Sequence, residues 1–350
     1  MTTIYDIAKA TSVSPATVSR VINGRPGVND ATVTKIKIAM EKLNFRPRWK
    51  AFDRKRLLLL VPEHPRALCS TYLSHIVAGV CDSSFACGYT LVVRPFLDKV
   101  KNGREIRQMV MQEGVSGCLI LSLPRGYGLA DRIGMEKIPH VVIGYKTRDD
   151  SMNQILLNDY QAGKDATEYL LSLGHRKIAM ISFSHDDHGH AQRASGYVDA
   201  LKKACPKQRP LCLEYKDATQ GAGAEGARRL FSQPDRPTAV IVTNEQLTLG
   251  FQNEVKQMGF SIPQDVSVIG FEEDAILENL DTPLTAIRIP AYEMGVESVK
   301  MILKEIENDE DEPSVANSQN LTPVLVARRS TRALNVSLFI TTPLLFRFLF

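Results

Sequence analysis

The chain has 350 residues, too many for one ordinary core, and length alone predicts about two to three domains. Its 44% hydrophobic and 23% charged composition excludes a mainly disordered chain. The net charge of +4 hides an asymmetry: residues 1–56 carry 12 Lys and Arg against 4 Asp and Glu, a balance of +8 that leaves −4 elsewhere, as expected when a small module meets a polyanion and a larger one does something else.

Thr3 followed by Asp6 has the spacing of a capping box, with Asp for the usual Glu, and marks a helix start with Ile4, Ile7 and Ala8 facing inward. Ser14 is placed to cap a second helix, and Pro15 takes its first position, where a missing N–H costs nothing. Val18, Val21 and Ile22 supply the buried side of that helix, while Pro15, Ala16, Ser19 and Arg20 face outward. Only Ala10 to Val13 lies between the two, which fits a helix-turn-helix. A third helix follows Asn29-Asp30, with Val33, Ile36, Met40 and Leu43 at helical spacing. A second helix exposed at its amino-terminal end can lie in the major groove, where Arg20 can hold guanine and Pro15 and Ala16 can touch a thymine methyl. The bland reading of the same pattern is a surface helix with a solvated arginine.

The runs IYDIAKATSVSPATVSRVING and VNDATVTKIKIAMEKLNFRP closely resemble the headpiece of the lac and gal repressor family of bacterial transcription regulators, and the resemblance continues to the closing VLVARRST at 324–331. It implies base reading by Pro15, Ala16 and Arg20, with Ser14, Thr17, Ser19 and Asn23 nearer the phosphates. It also implies a homodimer on a near-palindromic double-stranded operator, one headpiece per half-site.

After FRP at 45–47 the family inserts a leucine into the minor groove; here the segment reads RWKAFDRKR, with Arg54 at the leucine position. An apolar wedge unstacks a base step, and arginine cannot reproduce that packing, although it suits a narrow, electronegative groove. Groove insertion or phosphate contact by Arg48, Lys50 and Arg54 is expected; the alternatives are a displaced wedge from Phe52 or Trp49, a hinge that bends DNA little, and a solvated basic linker.

From residue 57 the period changes. LLLLVP, TLVVRPF, VSGCLILSL and PHVVIGY, then KIAMISF, LCLEY, TAVIVTN and VSVIGF, are short apolar runs suited to buried parallel strands alternating with helices. Two open α/β sheets are implied. Ligands collect beyond the carboxyl ends of such strands, so two facing lobes would enclose a small molecule. The expected fold is thus α + α/β, a helix-turn-helix headpiece (1–46) and hinge (47–56) before a two-lobed core (57–331) of two doubly wound parallel sheets. The resemblance makes that core periplasmic-binding-protein-like and joins its lobes by three crossovers, giving lobes at about 57–156 with 288–318 and 157–287 with 319–331.

Strand-end residues are the effector candidates. TNEQLTLG at 243–250 and GFEED at 270–274 match family segments that carry effector ligands, which implies Asn244, Glu245 and Glu272; the family commonly has aspartate at the last. Arg193 in AQRASGY matches an arginine that reaches the ligand in many members. For Arg193 and Glu272 the alternative is a salt bridge between lobes. On the first lobe Glu63 and His64 follow the first strand and Ser122 the third, and Gly144-Tyr145 stands where an aspartate is often found; each has a purely structural reading beside it.

HDDHGH at 185–190 raises a metal question, but it reads as a wet loop without CxxC or HExxH context, so no metal or cofactor is expected. The six cysteines (Cys69, Cys81, Cys87, Cys118, Cys205, Cys212) form no CxxC pair and most fall in runs that read as core, which predicts a reducing cytoplasm. No secretory leader is read, and the apolar tail at 332–350, broken by Asn335, Pro343 and Arg347, is not expected to anchor in a membrane. The reading is a cytoplasmic, nucleoid-associated, ligand-responsive repressor with a carbohydrate-like effector, not an enzyme: no GxSxG, Walker loop or metalloprotease motif occurs. The alternatives are a solute-binding sensor without a DNA role and a sugar-processing enzyme.

Overall fold

The computed structural model describes residues 3–22, 27–43, 45, 55–62, 70–96, 109–110, 112–121, 138–147, 152–183, 188–271, 281–307 and 317–334. The chain divides into two compact units, Met1–Leu156 with Ala291–Leu321 and Leu157–Pro290 with Thr322–Phe350, so it passes from one to the other three times. No helix among the described residues is long and apolar enough to cross a membrane.

Three helices open the first unit: α1 (Ile4–Thr11), α2 (Pro15–Ile22) and α3 (Asp30–Lys42). The capping box forms in full: Thr3 N–H donates to Asp6 Oδ2 at 2.8 Å and Asp6 N–H to Thr3 Oγ1 at 3.4 Å, so two amides with no helical partner are satisfied reciprocally. Ser12 ends α1 in the left-handed region at φ 54. The Ser14 hydroxyl accepts the Thr17 N–H at 3.1 Å and so starts α2. Ile7, Ala8, Val18 and Ile36 are buried, with Ile4, Val13, Val21, Ile22, Ala39, Met40 and Phe45 packed around them. Of the residues at helical spacing on α3, Ile36 is buried and Met40 packs on the core, whereas Val33 is half-buried and Leu43 38% exposed; Ala39 and Phe45 also pack there.

The first unit's sheet runs β11 (Ser318–Leu321), β5 (Gln154–Leu157), β4 (His140–Ile143), β3 (Gly117–Leu121), β1 (Arg56–Pro62), β2 (Thr90–Phe96). The ladders β1/β2, β1/β3, β3/β4 and β4/β5 are parallel. Leu57 to Leu60 are fully buried, as a strand covered on both faces requires. TLVVRPF departs from the buried strand expected of it, because β2 is an edge strand and Val93 is 42% exposed. Helix α4 (Thr71–Ala86) packs on α9 (Ala291–Glu307) so closely that a Cβ on Gly79 would collide with the Tyr292 carbonyl. Toward its end α9 presents Glu305, whose carboxylate accepts the His140 N–H at 3.1 Å and Asn153 Nδ2 at 2.9 Å; Asn153 Oδ1 in turn accepts the Asn317 N–H at 2.9 Å. One acid thereby holds the roots of β4, β5 and β11, and burial pushes it up to about 7.

The second unit repeats the plan. Its sheet runs β12 (Val324–Val326), β10 (Thr285–Arg288), β9 (Ser267–Phe271), β8 (Ala239–Val242), β6 (Ile178–Phe183), β7 (Leu211–Tyr215), parallel except for β10/β12. LCLEY is again an edge strand and only part-buried. The helices are α5 (Asp159–Ser172), α6 (His188–Ala204), α7 (Gln220–Phe231) and α8 (Glu245–Gln257). Residues 288–290 fall with the second unit and 319–321 with the first, a few residues away from the borders expected from the sequence, because Arg288 pairs with Val324 and β11 with β5. The expected cysteine burial holds for Cys118 alone among the described cysteines: Cys81 and Cys87 are exposed, Cys205 and Cys212 half-buried.

Candidate functional site

The first surface is the amino-terminal end of α2. Val18 is fully buried, which fixes the helix's rotation and leaves Ser14, Pro15, Ala16 and Arg20 exposed, with Thr17 and Ser19 half-exposed. Ser14 Oγ lies 2.8 Å from Thr17 Oγ1 and so serves the cap. Tyr5, not among the expected residues, is 73% exposed on α1; an aromatic one residue from an inward-facing isoleucine was the available signal. Asn23, Arg48, Lys50 and Arg54 lie outside the described residues.

The second surface is the carboxyl edge of the second sheet, where strand order reverses between β6 and β8 and a crevice is expected. Four elements deliver side chains to it. Thr243 follows β8 directly and places Oγ1 3.0 Å from His190 Nδ1 and 3.4 Å from Ser182 Oγ. The His190 ring meets Phe183 edge-on, with centroids 5.2 Å apart. Asn244 caps α8, its Oδ1 accepting the N–H groups of Gln246 at 2.9 Å and Leu247 at 3.3 Å, and Glu245 follows in the first turn.

Arg193 is the centre of this edge. It is 7% exposed and its Nε donates to Asp159 Oδ1 at 2.7 Å, its Nη1 to the Thr243 carbonyl at 3.0 Å. The guanidinium also lies 4.6 Å from the Phe271 ring centroid, in cation–π range. The approach of α5 and α6 fixes this geometry: a Cβ on Gly163 would collide with the Arg193 carbonyl, and one on Gly196 with that of Tyr160, so glycine lets the two backbones touch. The ion pair closes within the second unit, since Asp159 and Arg193 both belong to it.

The structure thus brings Arg193, Asn244 and Glu245 to one edge and adds Asp159, Thr243, His190 and Phe271. Asp159 opens the helix after β5, and strand-end logic applied to LLND at 156–159 would have found it. Tyr145 is 5% exposed and belongs to the core cluster of the first unit, with Val115, Ile138 and Met152. Glu63, His64, Ser122 and Glu272 lie outside the described residues, as does 185–187 of the histidine-rich segment. Among the described residues no group of three His, Cys, Asp or Glu is arranged to hold a metal ion.

A small helical module with an exposed recognition helix, carried on two doubly wound sheets, defines a ligand-responsive DNA-binding regulator. Residues 3–48 match the family of bacterial regulatory proteins, lacI family, and residues 167–331 match a periplasmic binding protein-like domain. The HTH-type transcriptional repressor PurR of Vibrio atlanticus is 27% identical over 341 residues, covering 96% of this chain and 100% of that protein. CytR of Escherichia coli, also an HTH-type transcriptional repressor, is 26% identical over 339 residues, covering 95% and 97%. Two solved structures share the fold: the transcriptional regulator CelR–cellobiose complex (TM-score 0.70, 24% identity, 94% of this chain and 100% of that one) and the lac repressor dimer bound to operator and the anti-inducer ONPF (TM-score 0.68, 23% identity, 95% and 99%). The amino-terminal module thus matches the lacI family of bacterial regulatory proteins, and the relatives that span nearly the whole chain are transcriptional repressors.

Proposed function

We propose that the protein is a repressor that binds a near-palindromic operator as a homodimer and changes its affinity when a small carbohydrate-like molecule occupies its core. The observation that carries the reading is the exposed amino-terminal end of α2, rotated outward by the buried Val18 within the cationic end of the chain. On this reading residues 1–46 are the headpiece, 47–56 the hinge, and 57–331 the effector-binding core. Arg20, Pro15 and Ala16 meet base edges; Ser14, Thr17, Ser19 and Asn23 lie near phosphates; Arg48, Lys50 and Arg54 enter or flank the minor groove. Tyr5 joins the phosphate group, since the first helix of such a module crosses the backbone.

The residues assigned to the effector are Arg193, Asn244, Glu245 and Glu272 in the second unit and, separately, Glu63, His64 and Ser122 in the first, while Tyr145 serves the core of the first unit. The complex with cellobiose among the structural relatives supports an oxygen-rich ligand. Its preference for one conformation of the core changes operator affinity by the differential binding free energy. Arg193 at the sheet edge is held by Asp159 and the Thr243 carbonyl, and the work is done on DNA in the cytoplasm. Selection from random double-stranded DNA by the purified protein, with and without metabolite extract, tests this. A two-fold-symmetric consensus that Arg20→Ala blurs is expected; no preference in either condition removes the proposal.

A further inference from the structure

We infer that the amino-terminal edge of the second sheet, together with the apolar chain that leaves it, is a docking surface for the anionic headgroups of a lipid bilayer. Two independent observations carry this, one of charge and one of chain path. Lys177 precedes β6, Arg209 precedes β7 and Arg236 precedes β8, and these strands are neighbours, so the three cations open adjacent strands about 5 Å apart. Helix α6 crosses the same edge: Tyr197 Oη donates to the Ile178 carbonyl at 2.8 Å and accepts the Leu211 N–H at 3.0 Å. Lys202 and Lys203 stand in its last turn, about a turn and a half further on. With Lys207 and Arg209 they give residues 202–209, KKACPKQR, four cations and no acid. Every cation named here is exposed. Asp235 pairs with Lys177, an exposed pair of little energy, and the Arg236 guanidinium lies 4.6 Å from the Phe260 ring centroid.

The chain path leads to the same edge. Buried His175, just before Lys177, donates from Nε2 to the Arg332 carbonyl at 3.1 Å, and its Nδ1 lies 3.0 Å from Thr238 Oγ1. The Arg332 N–H reaches Ser267 Oγ, at the start of β9, at 3.0 Å, and the Leu334 N–H donates to the Leu173 carbonyl at 2.9 Å. The next residues, 335–350, read NVSLFITTPLLFRFLF, with ten Val, Ile, Leu and Phe side chains and Arg347 as the charged one. Sixteen residues that include Pro343 fall short of the roughly 20 that cross a bilayer, so this composition supports association with its surface and not a span. Duplex DNA would use the cations but leave the apolar side chains in water. A second copy meeting this edge with its own would bring like charges together. An anionic bilayer face takes both features at once, and stable attachment to it needs two such signals.

Vesicle flotation of the full-length protein tests this, with phosphatidylglycerol mixed into phosphatidylcholine and with phosphatidylcholine alone. Wild type is expected to float with the anionic vesicles only and to be released by salt. Changing Lys202→Gln, Lys203→Gln, Lys207→Gln and Arg209→Gln together should weaken binding about a hundredfold or more, with the thermal transition unmoved. A chain ended at Leu334 should lose binding to a similar degree. Undiminished flotation of either variant overturns the proposal, since the cationic headpiece, unchanged in both, would then carry the binding. Flotation with uncharged vesicles overturns it too, leaving the tail to act alone. Without flotation, assembly beyond a dimer that the shortened chain loses would assign the tail to a second copy. Again without flotation, weaker binding of random duplex DNA by the glutamine variant alone would assign the cations to nucleic acid; either result overturns the proposal. Where the shortened chain does not fold, the glutamine variant decides.

Discussion

The headpiece and the edge of the second sheet hold their working side chains in opposite ways. On α2 the residues assigned to DNA stand in water around a four-residue buried core, and Arg20 is exposed. At the sheet edge Arg193 is buried and gripped from three sides before any ligand arrives. The contrast follows from the partners. A duplex brings a dense row of charges to the protein surface, so surface cations release counterions on contact and need no prior order. A small molecule brings few contacts, so the groups that select it must be fixed in advance.

Ionic strength should separate the two regions most sharply. With about 6 to 10 phosphate contacts, operator affinity should fall roughly 10³ to 10⁵ between 50 and 200 mM salt, measured by fluorescence anisotropy, while effector affinity measured by calorimetry barely moves. A flat operator response would break the assignment of the basic end. Arg193→Ala reaches the other region: it strands Asp159 in a buried site, and the thermal transition of the core should lose about 3 to 5 kcal/mol with the headpiece still folded. An unchanged transition would mean that the pair is not buried as described.

Glu305 offers a third contrast, since its titration concerns the core and not the headpiece. Its folded value of about 7 lies above the ordinary value of 4.5, so the native state binds the proton more tightly than the unfolded chain. Stability should therefore fall as pH rises from about 4.5 to 7, by up to ~3 kcal/mol, and level off above. Glu305→Gln should flatten that slope in denaturant melts across this range. The smallest expected effect belongs to one base pair: Arg20→Ala should cost about 1 to 3 kcal/mol at a single position of each half-site. Uniform weakening over all operator sequences would make Arg20 a phosphate contact instead.

Most of the headpiece is legible in the amino-acid order itself. Thr3 with Asp6 and Ser14 with Pro15 announce helix starts through bonds that span three residues, and Val18 fixes which side of α2 faces out. The sheet strands are legible too, because strands buried on both faces are continuous apolar runs. Where such a run lies at a sheet edge, as in β2 and β7, the pattern misleads: adjacency is a property of the assembled sheet.

Local sequence determined the helix caps, the strand runs and the cationic bias of the amino-terminal end, since each depends on neighbours a few positions apart. Tertiary structure alone decided that Asp159 neutralises Arg193 from 34 positions away and that Thr243 closes the clasp from 50 positions further on. It also decided that Tyr145 packs into a core and that Glu305 gathers the roots of three strands. The physical reason is that a charge or a ring takes its character from whatever the fold brings within a few ångströms of it, and sequence spacing does not encode that distance.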